Sequence, residues 1–450
     1  MTEKDFESNI RVWKKLFGVD DKTIEALRSD LLTRVDFKYN RLTALAGKPW
    51  FIRLISLVER LMAFGKSGRF KAGDEEFIMV ACSDSFNRVK TLPLIARHFR
   101  YSVLFLPTLT RPFSMRNFYA YYKENRIMRV FFGTFSNKNI NEYSKFIKKN
   151  KEVFNEINCE DEDSAKILRY VMKRFALYSI YARELVTKTG KDKLWMFEHD
   201  KFYFIPVINE FKKRHVMTTQ LLHGSFFNPL TARYLPIYTD KMICSSEREK
   251  KIFEEFGEDR ASIYVTGAPL QTLKEKKTVE VPIKYDLLLL MTATLSHLIE
   301  KQKKALSYIN EHYGEKKILI RFRPASAEVD RTNLKEYITS YTISEGTSLL
   351  EDLCSAKHIV TFSEDTIFEI LRAERPFVAI VNQSDLYGGY LDGICCTTND
   401  MSDSLKQLFA EEKTIETEKY KMAFGETDPE IIKEKFERVI YDLKAQNEKF

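Results

Sequence analysis

Hydrophobic and polar positions along the chain change period near residue 75. Before it, apolar residues recur at helical spacing. Asp20 and Asp21 precede a run from Lys22 to Leu31 and read as a capped helix start. The stretch from Trp50 to Phe64 carries Arg53, Glu59 and Arg60 at helical spacing and predicts an amphipathic helix. Such a helix packs on its own protein or lies on a membrane surface. From Phe77 onward, short apolar runs alternate with helical patterns. Strands are predicted at Phe77–Cys82, Tyr101–Leu106, Ile127–Phe132, Leu194–Phe197, Val216–Leu222, Met242–Cys244 and Ile263–Thr266. Helices are predicted at Asn87–Phe99, Ser164–Thr187, Tyr203–Arg214 and Ser246–Phe256. Residues 271–283, with a run of lysines and Pro282, read as a linker.

A second alternating set follows. Strands are expected at Tyr285–Met291, Lys317–Phe322, His358–Phe362 and Phe377–Val381, with helices at His297–Tyr313, Leu349–Ser355 and Thr366–Arg372. Pro429–Lys449 reads as one long amphipathic helix. Continuous apolar strands alternating with helices predict an α/β protein with parallel sheets covered on both faces. At 450 residues, two α/β domains and a helical extension fit the length.

Composition narrows the class only slightly. Hydrophobic residues make up 44% and charged residues 30%, which excludes wholesale disorder. Six cysteines without a CxxC pair point to a reducing compartment. The first nine residues lack the basic and apolar regions of a secretory leader, and no apolar stretch reaches bilayer length. The net charge is +8. Residues 111–151 hold ten lysines and arginines against two glutamates, so this one aromatic-rich window matches the whole excess. Such a surface suits an acidic polymer, anionic lipid or single-stranded nucleic acid. No RNA- or DNA-binding motif supports the last.

In parallel sheets, ligands bind beyond the carboxyl ends of the strands. His223, followed by Gly224, closes one strand and is either a satisfied structural imidazole or a base or phosphate contact. Asp84 follows the first strand as a base or a helix cap. Gly267, in Thr266-Gly267-Ala268-Pro269, makes a tight turn or presents backbone to a ligand. Arg321 and Arg323 alternate on one strand face and suit a diphosphate or simply solvent. Ser363, Glu364 and Thr366 lead into a helix start that favours an anion or has its dipole balanced by acids. Glu369, one turn on, can accept both hydroxyls of a ribose or stand in water. Neither a dinucleotide fingerprint nor a P-loop occurs, and the seven histidines do not group at metal-ligand spacing, so no metal site is expected.

The run Ser363–Pro376, with Glu369 seven positions before Pro376, resembles the nucleotide-binding motif of GT-B glycosyltransferases and the related sugar-nucleotide 2-epimerases. Glu364-Asp365 and Glu374-Arg375 stand where that motif usually carries glycines. Thr266–Pro269 resembles the family's signature before its second domain. His223-Gly224 is similar to an element of bacterial surface-polymer transferases, and Arg323-Pro324 stands where several of these carry His-Pro. The resemblance implies a GT-B fold of two Rossmann-like domains facing a cleft. It places a helical extension at 1–73, an acceptor domain at 74–272, a nucleotide-donor domain at 284–428 and a crossing helix at 429–450. It further implies a nucleotide-activated sugar as co-substrate and no tightly bound cofactor. The partner is then an acidic glycan or lipid-linked acceptor, not nucleic acid, at a cytoplasmic site that includes the inner membrane surface. In this reading His223 or Asp84 is the base, and Gly267, Arg321, Arg323, Ser363, Glu364, Thr366 and Glu369 bind the donor. A 2-epimerase and a non-enzymatic glycan- or nucleic-acid-binding protein are the alternatives.

Overall fold

A computed structural model describes residues 2–33, 48–62, 73–81, 92, 96, 98–107, 129–189, 193–198, 204–222, 238–255, 257, 259–267, 281–291, 296–322, 333–345, 348–362, 366–380, 395–397, 399–410, 425–426 and 428–449. The alternation resolves into two wholly parallel sheets. In the first, β1 (Phe77–Ala81), β2 (Tyr101–Phe105), β3 (Arg129–Phe132), β4 (Leu194–Glu198), β5 (Thr218–Leu221), β6 (Lys241–Cys244) and β7 (Ile263–Val265) take the order 3-2-1-4-5-6-7. In the second, β8 (Tyr285–Met291), β9 (Ile318–Phe322), β10 (Thr342–Ile343), β11 (Ala356–Thr361), β12 (Phe377–Ile380) and β13 (Cys395–Cys396) take the order 10-9-8-11-12-13. Strand order reverses between β1 and β4, and again between β8 and β11. In open parallel sheets ligands bind at such switch points.

Both faces of each sheet are buried, which explains strands without polar alternation. In β1, Ile78 and Val80 join one core while Phe77, Met79 and Ala81 join another. The first core is closed by α7 (Glu162–Thr189) and α8 (Phe204–Lys212), and by the N-terminal helices α1 (Glu3–Ser8), α2 (Ile10–Phe17), α3 (Asp21–Thr33) and α4 (Pro49–Met62). Phe6, Trp13, Phe17, Leu27 and Ile52 are buried in it, so these helices share the core of the first sheet. Beside α4 runs α5 (Asn137–Lys149), capped by Ser136 and followed by the short α6 (Lys151–Asn155). The predicted helix at Asn87–Phe99 falls largely outside the described residues, as does most of the linker.

The other core of the first sheet is completed from far along the chain. Helix α9 (Glu247–Glu255) links β6 to β7. In the second half, α10 (Ser296–Tyr313) and α13 (Met401–Ala410) cover one face of the sheet, and α11 (Leu349–Ser355) and α12 (Ile367–Arg372) cover the other. The chain then returns, and α14 (Pro429–Asn447) lays Ile432, Phe436, Val439, Ile440 and Leu443 against Phe77, Tyr101, Leu194 and Met196 of the first sheet. Asp428 caps this helix and Pro429 opens it, the position where a missing N–H costs nothing. Lys444 pairs with Glu76 at 2.7 Å, and Gln446 donates to the Tyr264 hydroxyl at 2.8 Å. Burial alone would raise the Glu76 carboxyl. The Lys444 ammonium and the Arg100 backbone N–H outweigh it and hold that carboxyl below its usual range. Among the described residues no helix is long and apolar enough to cross a membrane.

Candidate active site

The switch point of the second sheet lies between β8 and β11, where Thr361 stands beside Leu290 and the Phe362 N–H reaches the Leu290 carbonyl. Three residues separate Phe362 from Thr366, and the Thr361 and Thr366 hydroxyls pair at 2.8 Å across that gap. That hydroxyl pair ties the end of β11 to the N-cap of α12. Thr366 occupies the N-cap without a side-chain cap bond, and Glu369 sits half-buried in the first turn. Ile367, Ile370 and Leu371 pin the other side of α12 into the core. That burial leaves Glu369 on the turn nearest the strand ends. Pro376 precedes β12, and its carbonyl accepts from the Ile359 N–H, so strand, turn, carboxylate and returning strand form one compact unit.

Arg321 is held elsewhere than in solvent. It follows Leu319 on the face that meets α11 and α12. Its Nη1 contacts Asp352 Oδ2 at 2.5 Å and Ser344 Oγ at 3.2 Å, while Ser344 Oγ donates to the same carboxylate oxygen. Asp352 is buried and lies in the first turn of α11, whose start is fixed by the capping box of Ser348 and Glu351. The arginine thus ties β9 to α11 through an ion pair spanning 31 residues. Spacing alone could not give this partner, although the Ser348–Glu351 pattern marks the helix start that presents it.

Gly267 has its own explanation. Its φ is +100°, and a Cβ there would stand 2.7 Å from Ile432 Cγ1 and 3.0 Å from the Glu426 carbonyl. The space that a side chain would fill belongs to the returning chain. Gly425, with φ +92°, meets the Ser245 carbonyl and the Gly267 Cα in the same place. Both glycines permit two backbones to cross just beyond β6 and β7. Below the crossing, Ser246 Oγ accepts the Glu249 N–H at the start of α9, and the buried Glu249 carboxylate accepts the Ser245 N–H at 2.7 Å. Cys244 is buried beside it, and burial pushes its thiol well up. This Ser245–Glu249 turn is a further polar feature at the strand ends, signalled in the sequence by a serine three residues before a glutamate.

His223, Asp84, Arg323, Ser363 and Glu364 lie outside the described residues. Of the sequence-derived set, Gly267, Arg321, Thr366 and Glu369 are described, and Thr366 and Glu369 share one turn. Among the described residues no group of three His, Cys, Asp or Glu side chains is arranged to hold a metal ion.

No protein-family model matches the chain, and no curated protein matches its sequence. Solved structures do match its fold. The UDP-GlcNAc 2-epimerase of Neisseria meningitidis, bound to UDP-GlcNAc, superposes with a TM-score of 0.52 at 10% identity, over 82% of this chain and 99% of that one. A Listeria monocytogenes protein assigned as a UDP-N-acetylglucosamine 2-epimerase gives 0.52 at 12% identity, over 84% and 98%. The α,α-trehalose 6-phosphate synthase of Burkholderia multivorans gives 0.51 at 10% identity, over 83% and 99%. The chain shares with them the GT-B fold of two parallel-sheet α/β domains.

Proposed function

We propose that this GT-B chain is a nucleotide-sugar enzyme, and that it transfers a sugar or polyol phosphate from a nucleotide-activated donor to a cell-surface glycan or lipid-linked acceptor. The observation that carries the reading is the unit at the second switch point, with Glu369 in the first turn of α12 and Pro376 opening β12. A carboxylate there accepts the two ribose hydroxyls of a nucleotide lying across the strand ends. The loop of Ser363 and Glu364 and the Thr366 turn enclose the phosphates. Arg323 opposes the charge that develops on the leaving phosphate, and Arg321, through Asp352, keeps β9 and α11 in register around it. Protein cations then do the work that a bound metal does elsewhere. His223 serves as the acceptor's base or as a phosphate contact, with Asp84 in reserve. Gly267 acts where the chain crosses between sheets. The activity is assigned to the cytoplasmic side, with the acceptor presented at the inner membrane face.

Calorimetry with UDP-, CDP-, CMP-, GDP- and ADP-linked donors tests this. One donor class is expected to bind, and Glu369→Ala to weaken it about 10- to 100-fold, the effect of losing hydrogen bonds to a charged acceptor. Absence of binding by every donor would sink the reading.

A second reading, a 2-epimerase, is supported by the Neisseria enzyme bound to UDP-GlcNAc. An epimerised sugar nucleotide formed without any acceptor would favour it. The lysine-rich surface of α5 favours transfer, because it suits an acidic acceptor that a small-molecule epimerase does not need.

A further inference from the structure

Helix α4 is apolar on two sides, and only one of them is used. Ile52 and Ser56 are buried and Phe51 and Ile55 are partly buried, packed on the first core. Trp50, Leu54, Leu57 and Val58 form the opposite stripe at spacings of three and four, and stand 54%, 49%, 53% and 38% exposed. They account for four of the seven large hydrophobic side chains exposed among the described residues. Scattered exposed leucines need no explanation, but a tryptophan and three aliphatic residues on one helix face do.

The neighbour of this stripe decides what covers it. Arg53, three residues after Trp50, donates to Asn141 on α5 at 2.8 Å. Lys138, Lys145 and Lys148 lie three, four and seven residues from Asn141 and share its side of α5, all exposed. Lys149 and Lys151 are exposed at the same end. Glu142 is the single acid in α5, 4.0 Å from Lys138. An apolar stripe with a tryptophan at its start and a bank of lysines alongside matches the two layers of a lipid surface, acyl chains next to anionic headgroups. A protein partner would match the stripe without needing the lysine bank.

We infer that the α4 stripe and the α5 lysines together dock the protein on an anionic lipid surface, with α4 lying in the plane of the interface. The inference deepens the proposed reading by giving the lipid-linked acceptor a place to be met. It is tested without donor or acceptor, so its failure and that of the nucleotide assignment are separable.

The full chain is mixed with vesicles of phosphatidylcholine alone and of phosphatidylcholine with phosphatidylglycerol in equal parts. Co-sedimentation is expected with the anionic vesicles and to fall as salt is raised. The chain has three tryptophans, of which Trp13 and Trp195 are fully buried, so a blue shift of emission on binding reports Trp50. The variant Trp50→Ser/Leu54→Ser/Leu57→Ser, altered only at exposed positions, is expected to bind at least about tenfold more weakly. Lys145→Glu/Lys148→Glu/Lys149→Glu is expected to lose the preference for anionic vesicles. Absence of wild-type binding, or an apolar variant that binds as well as wild type, would overturn the inference. So would wild-type dimers in size-exclusion chromatography that the apolar variant breaks, because a second copy would then cover the stripe.

Discussion

Glu374 holds φ at 53° where α12 ends, in the left-handed region that costs a side chain about 1–2 kcal/mol. It stands two residues before Pro376, where the GT-B motif usually carries glycine. The structure explains that preference: the helix must stop and reverse within the four residues 373–376 to enter β12. Glu374→Gly is expected to raise stability by about 0.5–1 kcal/mol in urea titration, the left-handed strain relieved minus the extra freedom of the unfolded glycine. At this scale the local geometry around Glu369 is legible in the sequence. A carboxylate seven residues before a proline was readable because both lie on one local unit. The partner of Arg321 was not readable, because Asp352 comes from a separate helix and the ion pair forms only when β9 and α11 pack. Alternating arginines on a strand describe a face but not its neighbour.

Elements were legible wherever burial imposed a pattern. The strands with continuous apolar runs, such as β1, β8 and β12, emerge close to their expected bounds because both faces are covered. Strands β10 and β13, two residues each at the sheet's edges, carry too little pattern to register. Helix α5 was hidden because its lysines read as charge and not as the polar face of a helix. The crossing of Gly267 and Gly425 was half visible, as a turn whose occupant comes from residues far along the chain. Substitution there separates two costs that a glycine can conceal. Gly425→Ala would set a Cβ against the Ser245 carbonyl oxygen, whereas Gly257→Ala, at a similar φ of +89°, meets nothing within 4 Å. Gly257→Ala is expected to cost about 1 kcal/mol for backbone strain alone. Gly425→Ala is expected to cost clearly more, and the difference between their thermal unfolding midpoints measures the crowding.

At the scale of the whole molecule, α14 belongs to the core of the first sheet. Phe436 is fully buried edge-on to Phe77, and Phe436→Ala is expected to cost about 3–5 kcal/mol. Hydrogen exchange would register that loss first in β1, β2 and β4, the strands beneath the helix, before the second sheet. The contact between Glu76 and Lys444 spans 368 residues. That separation bears on how the protein is made. A ribosome delivers β1 to β7 long before α14 exists, so the core formed by Phe77, Tyr101 and Met196 with Leu92, Ala96 and Phe99 lacks its share from α14 while the entire second sheet is synthesised. The first half to emerge is thus the last to be finished. During that interval the incompletely covered apolar face is open to aggregation, and the first sheet's second core is complete only once α14 has docked.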